Sequence, residues 1–259
     1  MENKPDLVKL LKEAINEPGK MLEAYRAFHR FSTNNQLLAR MQCVSRGIEI
    51  GPLASFKAWQ EKGRCVKKGE KAIALLMPVT IKKDEKKSNG EDDTFTFFKL
   101  ANRWFTLDQT QGEDFLFDAI PGWDKARALT TLEITEENFK HIDGNCQGYA
   151  HGRTIAVNPL AQLPAKTTFH ELAHIVLGHT KDESGLSADL TELPRDIKEV
   201  EAESVAMLCL ASLDLPGVEY CRGYIQNWIV TDDIDEKSAK RILSATDKIL
   251  KAGQEKGAA

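Results

Sequence analysis

The segment "TTFHELAHIVLGH", residues 167–179, constrains the fold more than any other stretch. Phe169, Leu172, Ala173, Ile175, Val176 and Leu177 spread apolar groups around nearly the whole turn, so a helix here must be buried rather than surface-lying. Helical spacing sets His170 and His174, four residues apart, on one face a single turn from each other. Glu171 lies about 100° round the helix from His170. It is off the shared coordination position but can reach a water held there. Gly178 is the expected stop. Such a helix either binds a metal with a general base beside it, or is a core helix whose histidines are simply hydrogen-bonded.

A catalytic zinc takes three protein ligands and leaves the fourth position to water. His179 lies close by, but the metzincin pattern HExxHxxGxxH needs Gly and His three and six residues after the second histidine. Here they come at four and five, so His179 reads as a polar residue at the helix end. The other source is "KEVEAESVAMLCLASL", residues 198–213, expected to be a helix with Ala202, Val205, Ala206, Cys209 and Leu213 on its apolar face. Glu199 and Glu203 share one flank of that face, while Glu201 points away. The pair can supply one carboxylate to the metal and a second to orient a ligand histidine. The alternative is a solvated, Glu-rich face.

The rest of the chain supplies the setting. No apolar run approaches the roughly 20 residues that span a bilayer. The first twenty residues are mixed-charge and amphipathic, unlike a secretory signal. The five cysteines are scattered, with no CxxC pair; a reduced, cytoplasmic protein without disulfides is expected. The formal charge of −4 conceals an asymmetry. Ten Lys/Arg face four acids between Lys57 and Lys87, whereas eight acids face two basic residues between Asp182 and Glu203. Two modules with different partners follow from that.

Helices are expected over residues 5–16 and 20–46, the latter divided at a cap on Ser32 or Thr33, and from Ser55 to a stop at Gly63. "KAIALLMPVTIKK" and "TFTFFKLANRWFTL" read as a β-hairpin, with "KDEKKSNGEDD" its exposed tip. Lys82–Lys87 belongs to that solvated tip. The Pro-Gly of "DAIPGWDK" marks the boundary between a domain over residues 1–117 and one over 124–259. In the second, "GYAHGRTIAVNP" looks like strands around a turn at His151–Gly152. Helices follow near 160–178, 195–213, 218–229 and 233–251. The fold class is α+β.

"HELAHIVLGH" followed by "EVEAESVAMLCL" resembles the zincin domains of the ImmA/IrrE-type metallopeptidases and of the ArdC-type antirestriction proteins. That resemblance implies zinc held by His170, His174 and Glu199, with Glu171 catalytic and Glu203 orienting a ligand. It also implies a strand beside the active-site helix that holds extended substrate, with "RTIAVNP", residues 153–159, as counterpart. Tyr149 just before it is either an oxyanion donor or a packed ring. Stretches over most of residues 20–112, among them the run that begins "NNQLLARMQCVSRG" and the closing "FTLDQTQG", resemble the ArdC-type N-terminal domain. This implies a module that binds single-stranded DNA with little sequence preference, in proteins of plasmids and other mobile elements that shield entering DNA. Lys57, Lys62, Arg64, Lys67, Lys68 and Lys71 suit phosphates. Asn34, Asn35 and Gln36 offer hydrogen bonds, and Trp59 and the hairpin aromatics offer stacking surfaces. A solvated basic face over core aromatics is the alternative.

Overall fold

A computed structural model describes residues 5–86, 92–116, 119–140, 145–180, 193–229 and 234–255. The chain divides into two compact units, Met1–Pro5 with Asn34–Asp118, and Asp6–Thr33 with Ala119–Ala259. Its architecture is α+β.

In the first unit, helix α3 (Thr33–Arg46) accompanies strand β1 (Leu53–Ser55), helix α4 (Phe56–Glu61), β2 (Arg64–Val66), β3 (Ile73–Lys86), β4 (Asp92–Thr106) and β5 (Thr110–Gly112). For numbering, α1 (Leu7–Asn16) and α2 (Lys20–Phe28) precede them in the chain. β3 and β4 pair antiparallel as the long hairpin, with Val79 opposite Phe97 and Ile81 opposite Phe95. β-Branched and aromatic residues favour this pleated pairing. β1 adds to the other edge of β4, and β2 pairs with β5. α4 starts where the Ser55 hydroxyl accepts from Ala58 N–H at 3.2 Å, an N-cap, and stops before Gly63, whose φ is +70°. The side chains of Lys82–Lys87, expected at a solvated tip, lie outside the described residues.

β3 is an edge strand, and its outward backbone groups need partners. α3 supplies them from two amides seven residues apart. Asn35 accepts from Leu76 N–H at 2.8 Å and donates to Leu76 C=O at 3.0 Å. Gln42 does the same for Ala74, at 2.9 and 2.8 Å. The core beneath holds Trp59, Ile73 and Leu75, all fully buried.

The second unit contains α1, α2, α5 (Lys125–Leu132), β6 (Thr135–Glu136), β7 (Gly148–His151), β8 (Thr154–Val157), α6 (Pro164–Val176), α7 (Arg195–Ser212), α8 (Val218–Ile229) and α9 (Glu236–Gly253). The placement of α1 and α2 differs from the sequence reading, which assigned all of residues 1–117 to one domain. Their apolar stripes, Leu11 and Ile15 on α1 and Tyr25 and Phe28 on α2, are buried against α7 and α9. Polar ties reinforce this: Arg222 donates to Ile15 C=O at 2.6 Å, and Gln254 donates to the Tyr25 hydroxyl at 2.6 Å.

α7 is the spine of this unit, buried without interruption from Val200 to Leu210. A single apolar face understates it. α2, α6, α8 and α9 all pack on this helix, from different sides. The small sheet has the order β6-β8-β7, so β8, expected to flank the active-site helix as a substrate-binding strand, is the central strand with both edges paired. The edge strands are β6 and β7, and β7 is the one that lines the cleft described below.

Candidate metal centre

α6 begins with Pro164 at its first position, where the missing N–H costs nothing. It presents His170 and His174 with their Nε2 atoms 3.1 Å apart. α7 brings Glu199 to the same point, its Oε2 lying 3.4 Å from His170 Nε2 and 3.8 Å from His174 Nε2. One donor atom from each residue fits within a 4.8 Å cluster. Two imidazoles and a carboxylate are the donor set of a borderline divalent cation.

Both histidines of the cluster are held from behind through their Nδ1 atoms. Glu203, one turn beyond Glu199, accepts from His170 Nδ1 at 2.9 Å, and the Lys166 ammonium lies 2.8 Å from its other oxygen. Burial opposes the Glu203 charge, but His170 and Lys166 outweigh it and hold the carboxyl down at about 2. The His170 and His174 contacts keep Glu199 well below the ordinary range. Burial pulls His170 down, yet the bonds to Glu199 and Glu203 prevail and raise its pKa to about 9. A centre that grips a proton this firmly favours positive charge.

Glu171 is not one of the donors but lines the same cleft beside them, and it is 7% exposed; burial raises its pKa, the direction a general base near neutral pH requires. Its space depends on Gly148, the first residue of β7. A Cβ there would lie 3.1 Å from Glu171 Oε1 and 2.5 Å from Thr167 Cγ2, so β7 runs against α6 at a distance only glycine permits. Nothing in the sequence marked Gly148 beyond its place at a strand start.

The cluster opens into a cleft of about 610 Å³, lined by β7, Glu171, the three donors, Arg195 and Lys198. β7 lines this cleft and, among the described residues, pairs along one edge only, an arrangement of the kind that takes an extended chain by strand addition. Tyr149 lines it, but its hydroxyl donates to Glu137 Oε1 at 3.0 Å, and His151 Nε2 lies 3.1 Å from the same atom. The Tyr149 hydroxyl is thus engaged, and the choice between oxyanion donor and packed ring gives way to a tethered residue of the cleft wall.

Glu201 and His179 are the residues the sequence undervalued. Glu201 does point away from Glu199 and Glu203, but into the interior: it is 1% exposed and bonds to Arg241 of α9 and to His179 Nε2 at 3.0 Å.

The proposed DNA groups of the first unit separate into two sets. Trp59 is fully buried, with its indole N–H on Phe105 C=O at 2.8 Å; it is a core residue and offers no stacking face. Asn35 is spent on β3, and Gln36 is 2% exposed. Arg64 is tied to Thr110 and Glu113. Lys57, Lys67, Lys68 and Lys71 remain at the surface, with Lys57 near Glu61 at 3.7 Å and Lys67 on Asp108 C=O at 2.5 Å. On the hairpin, Phe95 and Phe97 stack with centroids 6.1 Å apart and stay 51% and 38% exposed.

Comparison with known proteins finds two families in order along the chain, the first match taking in α2 and most of α1 as well. Residues 9–105 match the model of the N-terminal domain of anti-restriction factor ArdC, and residues 130–212 match the IrrE N-terminal-like domain, peptidase M78. The metal-free crystal structure of antirestriction ArdC protein from R388 plasmid is 18% identical, with a TM-score of 0.52 over 95% of this chain and 94% of that one. Its Mn(II)-bound structure is 17% identical, with a TM-score of 0.48 over 98% and 100%. No curated protein matches the sequence.

Proposed function

From a chain that joins an ArdC N-terminal domain to an IrrE-like M78 peptidase domain, we propose an antirestriction protein of a mobile element. Its first unit covers single-stranded DNA without sequence preference, and its second unit carries a divalent-metal peptidase site. The observation that carries this is the ordered pair of domain matches, the second of which encloses both the His170–His174 helix and the Glu199 helix.

In the peptidase unit, His170, His174 and Glu199 would hold zinc, which supplies Lewis acidity toward a carbonyl and its attacking water. Glu171 takes the proton of that water and returns it to the leaving amine. Glu203 holds His170 in place. β7 aligns an extended peptide along the cleft. A purely structural zinc is disfavoured, because structural sites are closed by four protein ligands, whereas this cluster offers three and opens to a cleft among the described residues.

In the DNA unit, Lys57, Lys67, Lys68 and Lys71 meet phosphates and neutralise charge, while the Phe95–Phe97 pair offers an exposed platform for bases, each stacked base contributing about 1–3 kcal/mol. A second reading is a regulatory protease that cleaves a repressor or DNA-bound protein, with the first unit serving only to localise it. The structured peptidase cleft favours keeping that reading in the test.

A salt-titrated binding assay on single-stranded DNA, duplex and RNA, coupled to protection against a restriction enzyme, decides between them. Occlusion expects Glu171→Gln to protect fully and the joint Lys67/Lys68→Ala variant to fail. The reverse pair of results makes proteolysis the function.

A further inference from the structure

The position of His179 follows from how α6 ends. Gly178 adopts a left-handed φ of +76°. Its N–H bonds to Ile175 C=O at 3.1 Å, and the His179 N–H bonds to His174 C=O at 2.8 Å. This pair of bonds is a Schellman motif, which folds the second residue past the cap back onto the residue one turn inside the helix. Those two residues are His179 and His174. Their Nδ1 atoms lie 3.1 Å apart.

The far side of His179 fixes the direction of every proton. Arg241 donates to Glu201, with Nε 3.1 Å from Oε1 and 3.3 Å from Oε2, and its other donor also reaches Ser238 Oγ at 2.9 Å. A guanidinium only donates and an ionised carboxylate only accepts. His179 Nε2, 3.0 Å from Glu201 Oε2, therefore carries a hydrogen, and the neutral ring is left with its lone pair on Nδ1. Facing that lone pair, His174 must donate from Nδ1. Its own lone pair then lies on Nε2, the atom that points into the cluster with His170 and Glu199.

We propose that Arg241, Glu201 and His179 form a proton-ordering relay that holds His174 in the tautomer able to bind a metal. The relay rests on the metal reading given above. His170 gets the same instruction directly from Glu203; His174 gets it through an intervening imidazole. These three are positioning residues, since none of them belongs to the donor set. Glu201 is the source of the order, because it is the group that can only accept.

This makes an isosteric change unusually informative. In Glu201→Gln the amide oxygen turns to Arg241, so the NH2 group faces His179 and donates to Nε2. His179 then carries its hydrogen on Nδ1 and donates to His174, whose remaining hydrogen moves to Nε2. The shape of the site is kept and its tautomer reversed.

The test uses the full chain. In metal-free protein, at a pH where the rings are neutral, two-bond proton–nitrogen correlations should show His174 protonated on Nδ1 in the wild type and on Nε2 in Glu201→Gln. Chelator competition with Zn(II) should show a loss of about 10–100-fold for Glu201→Gln, the range for removing a group that orients a metal ligand. A second pair guards against a folding defect: His179→Gln, which can still accept from His174 and donate to Glu201, should stay within about threefold of wild type, while His179→Leu loses as much as Glu201→Gln. An unchanged His174 tautomer in Glu201→Gln, or equal affinities for His179→Gln and His179→Leu, overturns the relay. Wild-type protein that takes up no zinc would sink the metal reading instead, and the tautomer measurement judges the relay separately.

Discussion

Both units bury polar side chains, and they use them in opposite ways. In the first, Asn35 and Gln42 face backbone: each gives and accepts one bond along the edge of β3. These are neutral amides completing a sheet whose N–H and C=O groups would otherwise lack partners. In the second, Glu201 and Glu203 face histidines, and each is charged, buried and backed by a cation. Removing a carboxylate from water is costly unless it is paired and hydrogen-bonded, so a cluster of them around imidazoles is hard to account for by stability alone. The difference lies in the partner. A buried polar group facing backbone finishes a fold; one facing a titratable ring sets up chemistry.

The largest expected effect tests the chemical side of this contrast. His170→Ala and His174→Ala should leave the protein without zinc by metal analysis, while Glu171→Gln keeps about one zinc per chain, because Glu171 is not a donor. An empty Glu171→Gln alongside a full Glu199→Ala would reverse the assignment of base and ligand.

Next in size is the division between the two acids one turn apart. Glu203→Ala should weaken zinc binding about 10–100-fold, and Glu199→Ala should weaken it more. Chelator competition giving the opposite order would exchange their roles, and negligible loss for both would return them to a charged helix face.

A graded effect follows from the His170 pKa, raised to about 9 by Glu199 and Glu203 against the pull of burial. At neutral pH this ring holds a proton that zinc must displace. Apparent zinc affinity should therefore rise with pH by about tenfold per unit up to the region of that pKa, then level off for this group. A pH-independent affinity between neutral pH and that region would remove His170 from the ligand set.

The smallest effect tests the structural side. Asn35→Ala should destabilise the protein by roughly 1–2 kcal/mol in denaturant unfolding, the scale of one or two hydrogen bonds, and leave the single-stranded-DNA affinity of the folded protein unchanged. A loss of DNA affinity without loss of stability would restore Asn35 to the binding surface and blur the contrast.

Much of this was legible beforehand. Helices α6, α7, α8 and α9, the long hairpin and the β7–β8 turn at Gly152 all follow from local periodicity and turn residues. So does the set His170, His174, Glu199 and Glu203, because spacing of four on a helix is a local fact. The residues misjudged share a property: their surroundings come from distant segments. Trp59 could not be told from a surface ring, since its burial depends on β4. Asn35 could not be told from a DNA donor, since its partner is a strand forty residues away.

The sequence by itself determined which side chains could meet: helical geometry placed two histidines on one face of α6 and two glutamates on one flank of α7. Tertiary packing alone decided what lies behind them. Glu201, half a turn from its neighbours, became a buried acid because α9 brings Arg241 beside it and α6 turns His179 back through Gly178. It likewise placed α1 and α2 with the second unit and made β7 an edge strand and β8 the central one. Periodicity records which face of an element is apolar, and it carries no information about which distant element will cover that face.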